Sequence, residues 1–300
     1  MRLALAAAAL QIGSAAGSPE LEQILERLSR EAEAFHENAP RILATERLIH
    51  RGRMSRPRMR LSPGVNPKFN AMGYLEREVV SEYGFAYLKE SPGAIHEFRQ
   101  VVSVDGKKVK DSEKARETLT MSIKSDDDRA RKRMLQDFEK QAGITGAATD
   151  FGQLILLFRS PLLDRYQFKV LRKDLAPRGS EGVIVLSYRQ KDKREGARVF
   201  HGRRMLTIPA AGEIWVLESG YLPVRITIVI PSSEDMTQVI HTGEVDYEPG
   251  RQGVLLPSSV HYTARDAEFV RVENLATYSD YRTFQAESDI KFQVEEVKPE

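Results

Sequence analysis

The sequence contains no cysteine, which excludes disulfides, thiolate metal sites, a cysteine nucleophile and a lipid-bearing cysteine together. It has no GxSxG elbow, no GxxxxGK[ST] phosphate loop, no GxGxxG and no HExxH. Its six histidines, His36, His50, His96, His201, His241 and His261, stand far apart, and none lies three or four residues from another, so no metal-ligand spacing is present. Convergence in space stays open for His241 and His261, which fall in neighbouring strand-like segments with Glu244 or Glu97 as carboxylate partners. The formal net charge of +2 is too small to mark a nucleic-acid binder. Past the N-terminus no stretch is long and apolar enough to span a membrane. These absences lead to the expectation of no cofactor, no metal and no enzymatic activity.

What is present begins with export. Met1-Arg2 followed by LALAAAALQI is a short positive region and an apolar run, and Ser14-Ala15-Ala16 supplies small residues for cleavage, so residues 1–16 read as a signal peptide. The mature chain, 17–300, is then expected in the periplasm or secreted, as a single domain; an N-terminal helix of the mature protein is the alternative. Hydrophobic residues at 41% and charged ones at 29% are those of a globular chain that can bury a sizeable core.

Ser18-Pro19-Glu20 starts a helix, with Ser18 as N-cap and Pro19 where its missing N–H is harmless. Leu21, Ile24, Leu25, Leu28, Ala32 and Phe35 give it one apolar stripe. Residues 42–50 read as a strand, and Arg51, Arg53, Arg56, Arg58 and Arg60 make a basic stretch, read as a solvated strand edge or loop, with contact to an anionic membrane surface as the alternative. From 79 to 109 the period is two: Tyr83, Phe85 and Tyr87, then Phe98, Val102 and Val104, with Asp105-Gly106 as a tight turn. A helical insert follows at about 112–158. Ser112 and Ser125 are its candidate N-caps, Asp126-Asp127-Asp128 complement a helix dipole rather than bind metal, Gly143 is a stop, and Phe151, Leu154, Ile155 and Phe158 predict a third helix. Beyond Pro161 nearly everything is strand and turn, including single strands predicted over 198–208 and 236–247.

Residues 212–230 carry the only Trp. Two apolar runs flank Ser219-Gly220, which predicts a hairpin closed by Leu217 opposite Leu222, where Pro223 owes no ladder N–H. That register places Trp215 on one face with Val224, Ile226 and Ile228. The face is either closed core or the lining of a cleft.

The signal peptide, the helix over 19–37, Ile214-Trp215-Val216 with Leu222-Pro223-Val224-Arg225, and the tail Tyr278-Ser279-Asp280-Tyr281-Arg282-Thr283-Phe284 together resemble the periplasmic lipoprotein-carrier family, the LolA/LolB-like half-barrels of outer-membrane lipoprotein sorting. The resemblance implies an α+β fold: a large curved antiparallel sheet, a half-barrel, with helices on its concave side and a cavity for lipid tails. The helical insert exceeds a minimal carrier, and no ligand-contacting residue of the family maps onto this chain. The function expected is a non-enzymatic carrier or binding protein for lipid or lipidated protein, with Trp215, Val224, Ile226, Ile228, Phe85 and Tyr87 lining or underlying the cavity. An envelope scaffold that holds a protein partner through a sheet edge or the basic stretch is the alternative. An exported hydrolase built from distant His and carboxylate residues is the third reading.

Overall fold

The computed structural model describes residues 19–53, 74–89, 94–125, 128–144, 150–177, 179, 181–192, 197–201, 204–230, 239–250, 253–265 and 269–284. Residues 1–16, and Arg56, Arg58 and Arg60 of the basic stretch, lie outside them.

Helix α1 (Pro19–Asn38) forms where the apolar stripe predicts it and buries Ile24, Leu28, Ala32 and Phe35. It stops where the Asn38 amide donates back to the Ala34 carbonyl at 2.8 Å and Ala39–Arg41, with its Pro40, tightens into a 3-10 turn. Strands β1 (Ile42–Arg53), β2 (Tyr74–Tyr87), β3 (Ile95–Val104) and β4 (Lys107–Lys108) follow. Asp105 and Gly106, at φ 51° and 74°, make the tight turn that the Asp-Gly pair predicts. Helices α2 (Ser112–Lys124) and α3 (Asp128–Ala142) come next.

The second half is β5 (Tyr166–Leu175), β6 (Gly182–Gln190), β7 (Ala197–His201), β8 (Arg204–Ile208), β9 (Ala211–Leu217), β10 (Pro223–Ile230), β11 (Ile240–Pro249), β12 (Leu255–Arg265) and β13 (Val270–Thr283). Eleven strands join one antiparallel sheet in the order β4-β3-β2-β1-β13-β12-β11-β10-β9-β6-β5, and β7 pairs with β8 alone. The last strand therefore lies beside the first, with Ile49 opposite Leu275. The single strand expected over 198–208 is instead this separate hairpin, and β6 pairs directly with β9 past it.

The architecture is α+β, a large open antiparallel sheet with helices, consistent with a curved half-barrel. Alternation along the strands sorts its two faces. Ala44, Leu48, Tyr83, Phe85, Val245, Ile226, Ile214 and Leu186 belong to the main core on what we call the inner face, together with α1 and the segment 151–165. The other core cluster sits on the opposite, outer face, where Leu119 and Ile123 of α2 meet Leu43, Ala86 and Phe98. Helix α3 bridges the two: its Phe138 and Ala142 enter the inner core while Met134 and Leu135 pack on the outer cluster.

Two local expectations shift. The N-cap of α2 is Asp111, whose carboxylate accepts from the Glu113 N–H at 3.1 Å; Ser125 is the C-cap of α2, and Asp126 and Asp127 after it lie outside the described residues. Residues 154–165 form two 3-10 turns, Leu154–Phe158 and Ser160–Arg165, in place of a third α-helix. Arg159 is extended between them and Ser160 precedes proline, so no α-turn can propagate through.

Candidate functional site

The hairpin over β9 and β10 closes as its sequence predicts: the Leu217 N–H donates to the Leu222 carbonyl at 2.9 Å, and Pro223 faces Val216. A bulge then intervenes. Arg225, not Val224, stands opposite Trp215, and Ile226 stands opposite Ile214. One extra residue inverts every side chain beyond it, and the bulge adjoins a proline that cannot donate to the ladder.

The expected face is therefore split. Ile226 and Ile228 are fully buried on the inner face, whereas Trp215 lies on the outer face and does not point toward α1 or a cavity. Its ring has the guanidinium carbons of Arg172 and Arg225 at 5.3 and 5.8 Å from its centroid, and its indole N–H donates to Glu213 at 3.0 Å. Arg225 in turn is held by Asp246 at 2.6 and 3.0 Å. Val224, the bulged residue, is half-buried. Phe85 is fully buried, edge-on to Phe35 with centroids 5.2 Å apart. Tyr87 is half-buried, its hydroxyl donating to the His36 carbonyl at 3.0 Å.

The apolar inner face is occupied by the chain itself. Phe151 stacks on Tyr262 at 5.2 Å, and Phe158 meets Tyr188 edge-on at 4.9 Å. Leu154, Ile155 and Phe158 are buried beside them. One hydroxyl ties the segment down twice: Tyr247 donates to the Gly152 carbonyl at 3.0 Å and accepts from the Ile155 N–H at 3.1 Å.

Beside this plug lies a cavity of about 20 Å³, room for a single water. Its lining includes Glu46, Glu97, Arg99, Asn274 and Tyr278, a buried polar cluster inside a hydrophobic sheet. Arg99 donates through Nε and Nη2 to Glu46 at 2.7–3.0 Å and through Nη2 to Glu97 at 2.7 Å, while its guanidinium carbon lies 5.1 Å from the Tyr83 ring centroid. The second oxygen of Glu97 and the Tyr83 hydroxyl are buried without a hydrogen-bond partner among the described residues. Both crowd Gly152, where a Cβ would meet each of them at 2.9 Å, so only glycine fits there. Asp150 completes the cluster, accepting from the Glu97 N–H at 2.8 Å and contacting His96 Nδ1 at 3.0 Å. Burial pushes the Glu97 carboxyl up to about 7, opposed by Arg99 and reinforced by Asp150. Burial likewise lifts the Tyr83 and Tyr278 hydroxyls well above their ordinary value.

His241 and His261 do not converge. His261 faces Glu244 across the β11–β12 ladder and bonds Glu273 at 3.0 Å on the outer face. His241, an odd number of residues from Glu244 along the same strand, contacts Tyr262 on the inner face at 2.7 Å. Among the described residues no group of three or more His, Asp or Glu is placed to hold a metal ion. Arg51, the described start of the basic stretch, is already paired with Glu76 at 2.8 Å and Glu273 at 3.2 Å.

An open antiparallel sheet whose inner face holds a short plug and a polar cavity is the class of architecture these elements define. No family model matches the chain, and no curated protein does. Solved structures similar to it include a LolA superfamily protein from Nitrosomonas europaea, 12% identical over 87% of this chain and 94% of that one, TM-score 0.31. A DUF1329 family protein from Desulfovibrio piger is 10% identical over 91% and 97%, TM-score 0.36. MucB in complex with MucA(peri) is 10% identical over 87% and 98%, TM-score 0.21. At TM-scores this low the likenesses carry no argument about cargo or partner.

Proposed function

We propose that this chain is a non-enzymatic carrier or binding protein for lipid or lipidated protein in the periplasm, holding an acyl chain on the inner sheet face in place of residues 151–158. The observation behind this reading is the plug. The inner faces of β6 and β9–β12 are apolar, and what covers them there is a short run of 3-10 turn rich in Leu, Ile and Phe, chemically close to an acyl chain. Ten methylenes transferred from water to that face would contribute roughly 8 kcal/mol, enough to compete with a segment held by few hydrogen bonds. The 20 Å³ cavity is too small for a chain, so loading requires the plug to yield. The protein purified from its native envelope is expected to release acyl species, detected by mass spectrometry after lipid extraction, in amounts comparable to the protein. Repeated absence of any acyl species would overturn the carrier reading.

A protein partner engaged through a sheet edge is the second reading, favoured by β5. It is the terminal strand of the sheet, and Val170, Leu171 and Leu175 on it are exposed, a pattern suited to strand addition. Leu171→Lys with Leu175→Lys is expected to reduce co-purification of an envelope partner at least tenfold while the thermal midpoint holds. Unchanged capture rules the edge out. The hydrolase reading loses its proposed His241–His261 pair, since those two side chains lie on opposite faces of the sheet.

A further inference from the structure

Glu97 sits at the point where the plug joins the sheet, and its surroundings are lopsided. One carboxylate oxygen accepts from Arg99; the other is buried against Gly152 with no hydrogen-bond partner among the described residues. Arg99 is one guanidinium facing the carboxyl groups of Glu46 and Glu97, with Asp150 beside Glu97. Glu46 takes three of the four Arg99 hydrogen bonds, and Asp150 has His96 and a backbone N–H. Glu97 has the weakest claim on positive charge and the nearest contact with the plug.

We propose that Glu97 and Asp150 form a proton-linked latch for residues 150–158: with a proton on Glu97 the segment seats on the inner face, and loss of that proton loosens it and uncovers the trough. Two negative carboxylates at one buried junction repel, and the packing at Gly152 leaves no room for even a Cβ beside one of them. A protonated Glu97 removes the repulsion and no longer leaves a buried negative oxygen without a hydrogen-bond donor.

The groups that face this carboxyl come from every element around it. Arg99 and His96 lie on its own strand, Glu46 on β1, Tyr83 on β2 and Asp150 on the plug. Tyr278 and Tyr281 of β13 and Tyr247 of β11 add hydroxyls that burial keeps protonated. Tyr262 of β12 lines the cavity, and α3 contributes the apolar Phe138. In the closed form burial holds Glu97 up at about 7. In an opened, hydrated form it returns toward the ordinary carboxylate value near 4.3. A group with its pKa raised in the closed form stabilises that form fully at low pH, and the contribution is lost as pH rises through about 7. The latch is therefore shut in acid and released in base.

This inference rests on the reading that the plug yields to cargo, and it is tested without cargo. Hydrogen exchange of the full chain, read by mass spectrometry and corrected for intrinsic rates, should show opening of residues 151–158 rising about tenfold between about pH 6 and pH 8. Peptides from β10 and β11 should not change. Glu97→Gln should flatten that dependence with the segment protected throughout, and Asp150→Asn should move the transition to lower pH. A pH-independent plug in the wild type, or a Glu97→Gln protein with the wild-type slope, overturns the latch. Acyl species bound by a protein whose plug ignores pH would leave the carrier reading standing and the latch refuted. A pH-dependent plug in a protein that never carries lipid would support the latch alone.

Discussion

Arg99→Met is expected to lower the unfolding free energy by about 3–5 kcal/mol, the loss seen when one partner of a buried charge pair is removed. Arg99 is among the buried charged residues, and it serves two carboxylates that are themselves only 1% exposed. Methionine keeps an unbranched apolar stem but stops short of the guanidinium carbon that lies over Tyr83 and Phe138, so the loss is mainly of charge with a smaller share from packing. What remains in the variant is Glu46 and Glu97 with no cation between them, and both must take up protons or draw in water. The deficit should therefore shrink as pH falls below about 6, where the stranded carboxyls become neutral at less cost. Urea unfolding followed by the single Trp fluorescence measures this, as a fall in midpoint with little change in slope. A loss under about 1 kcal/mol would show that the cluster behaves as hydrated surface, and the cavity would then be an entrance rather than a closed chamber.

The same cluster shows what was legible in the sequence. Ala44, Glu46, Leu48 and His50 alternate along β1, and Ile95, Glu97, Arg99 and Val101 along β3, so charged residues stand at positions whose period assigns them to the core. That misfit is the signal that could have found the site. Phe98, between Glu97 and Arg99, reads by its aromatic ring as the core position instead, and the structure places it on the outer face under α2. Nothing local marks Asp150, because its contact with Glu97 spans 53 residues of sequence.

Elements governed by local rules were legible: the stripe of α1, the Asp105-Gly106 turn, and Gly143 at φ 64° ending α3. Trp215 was not, although its hairpin was. The turn sets the first pair, but a bulge after Pro223 is one residue of slack that composition does not announce, and it moved the ring to the other face. On that face Arg172 and Arg225 flank the indole and acidic side chains neutralise them. The division of helices between faces had the same origin: α2 and α3 look alike in sequence, and only the strand register decides which surface each one meets.

Phe158→Ala should be as costly as the charge deletion, about 3–5 kcal/mol, for the opposite reason. Phe158 is fully buried and touches three other rings, Tyr188 at 4.9 Å, Tyr166 at 5.6 Å and Phe168 at 6.0 Å between centroids. Truncation leaves an apolar void among those rings, since Tyr188 is anchored by its hydroxyl donating to the Thr227 carbonyl at 2.7 Å and cannot swing in. An apolar void of this kind stays dry and accepts an apolar guest. If the plug stands where cargo goes, a medium-chain fatty acid should restore part of the lost stability in proportion to the logarithm of its concentration. The wild type, with Phe158 in place, should gain less at the same concentration. Thermal unfolding of both proteins against a decanoate series reads the difference. Equal and negligible shifts in the two would mean that the ring fills a structural gap with no connection to cargo, and the plug would then be permanent core.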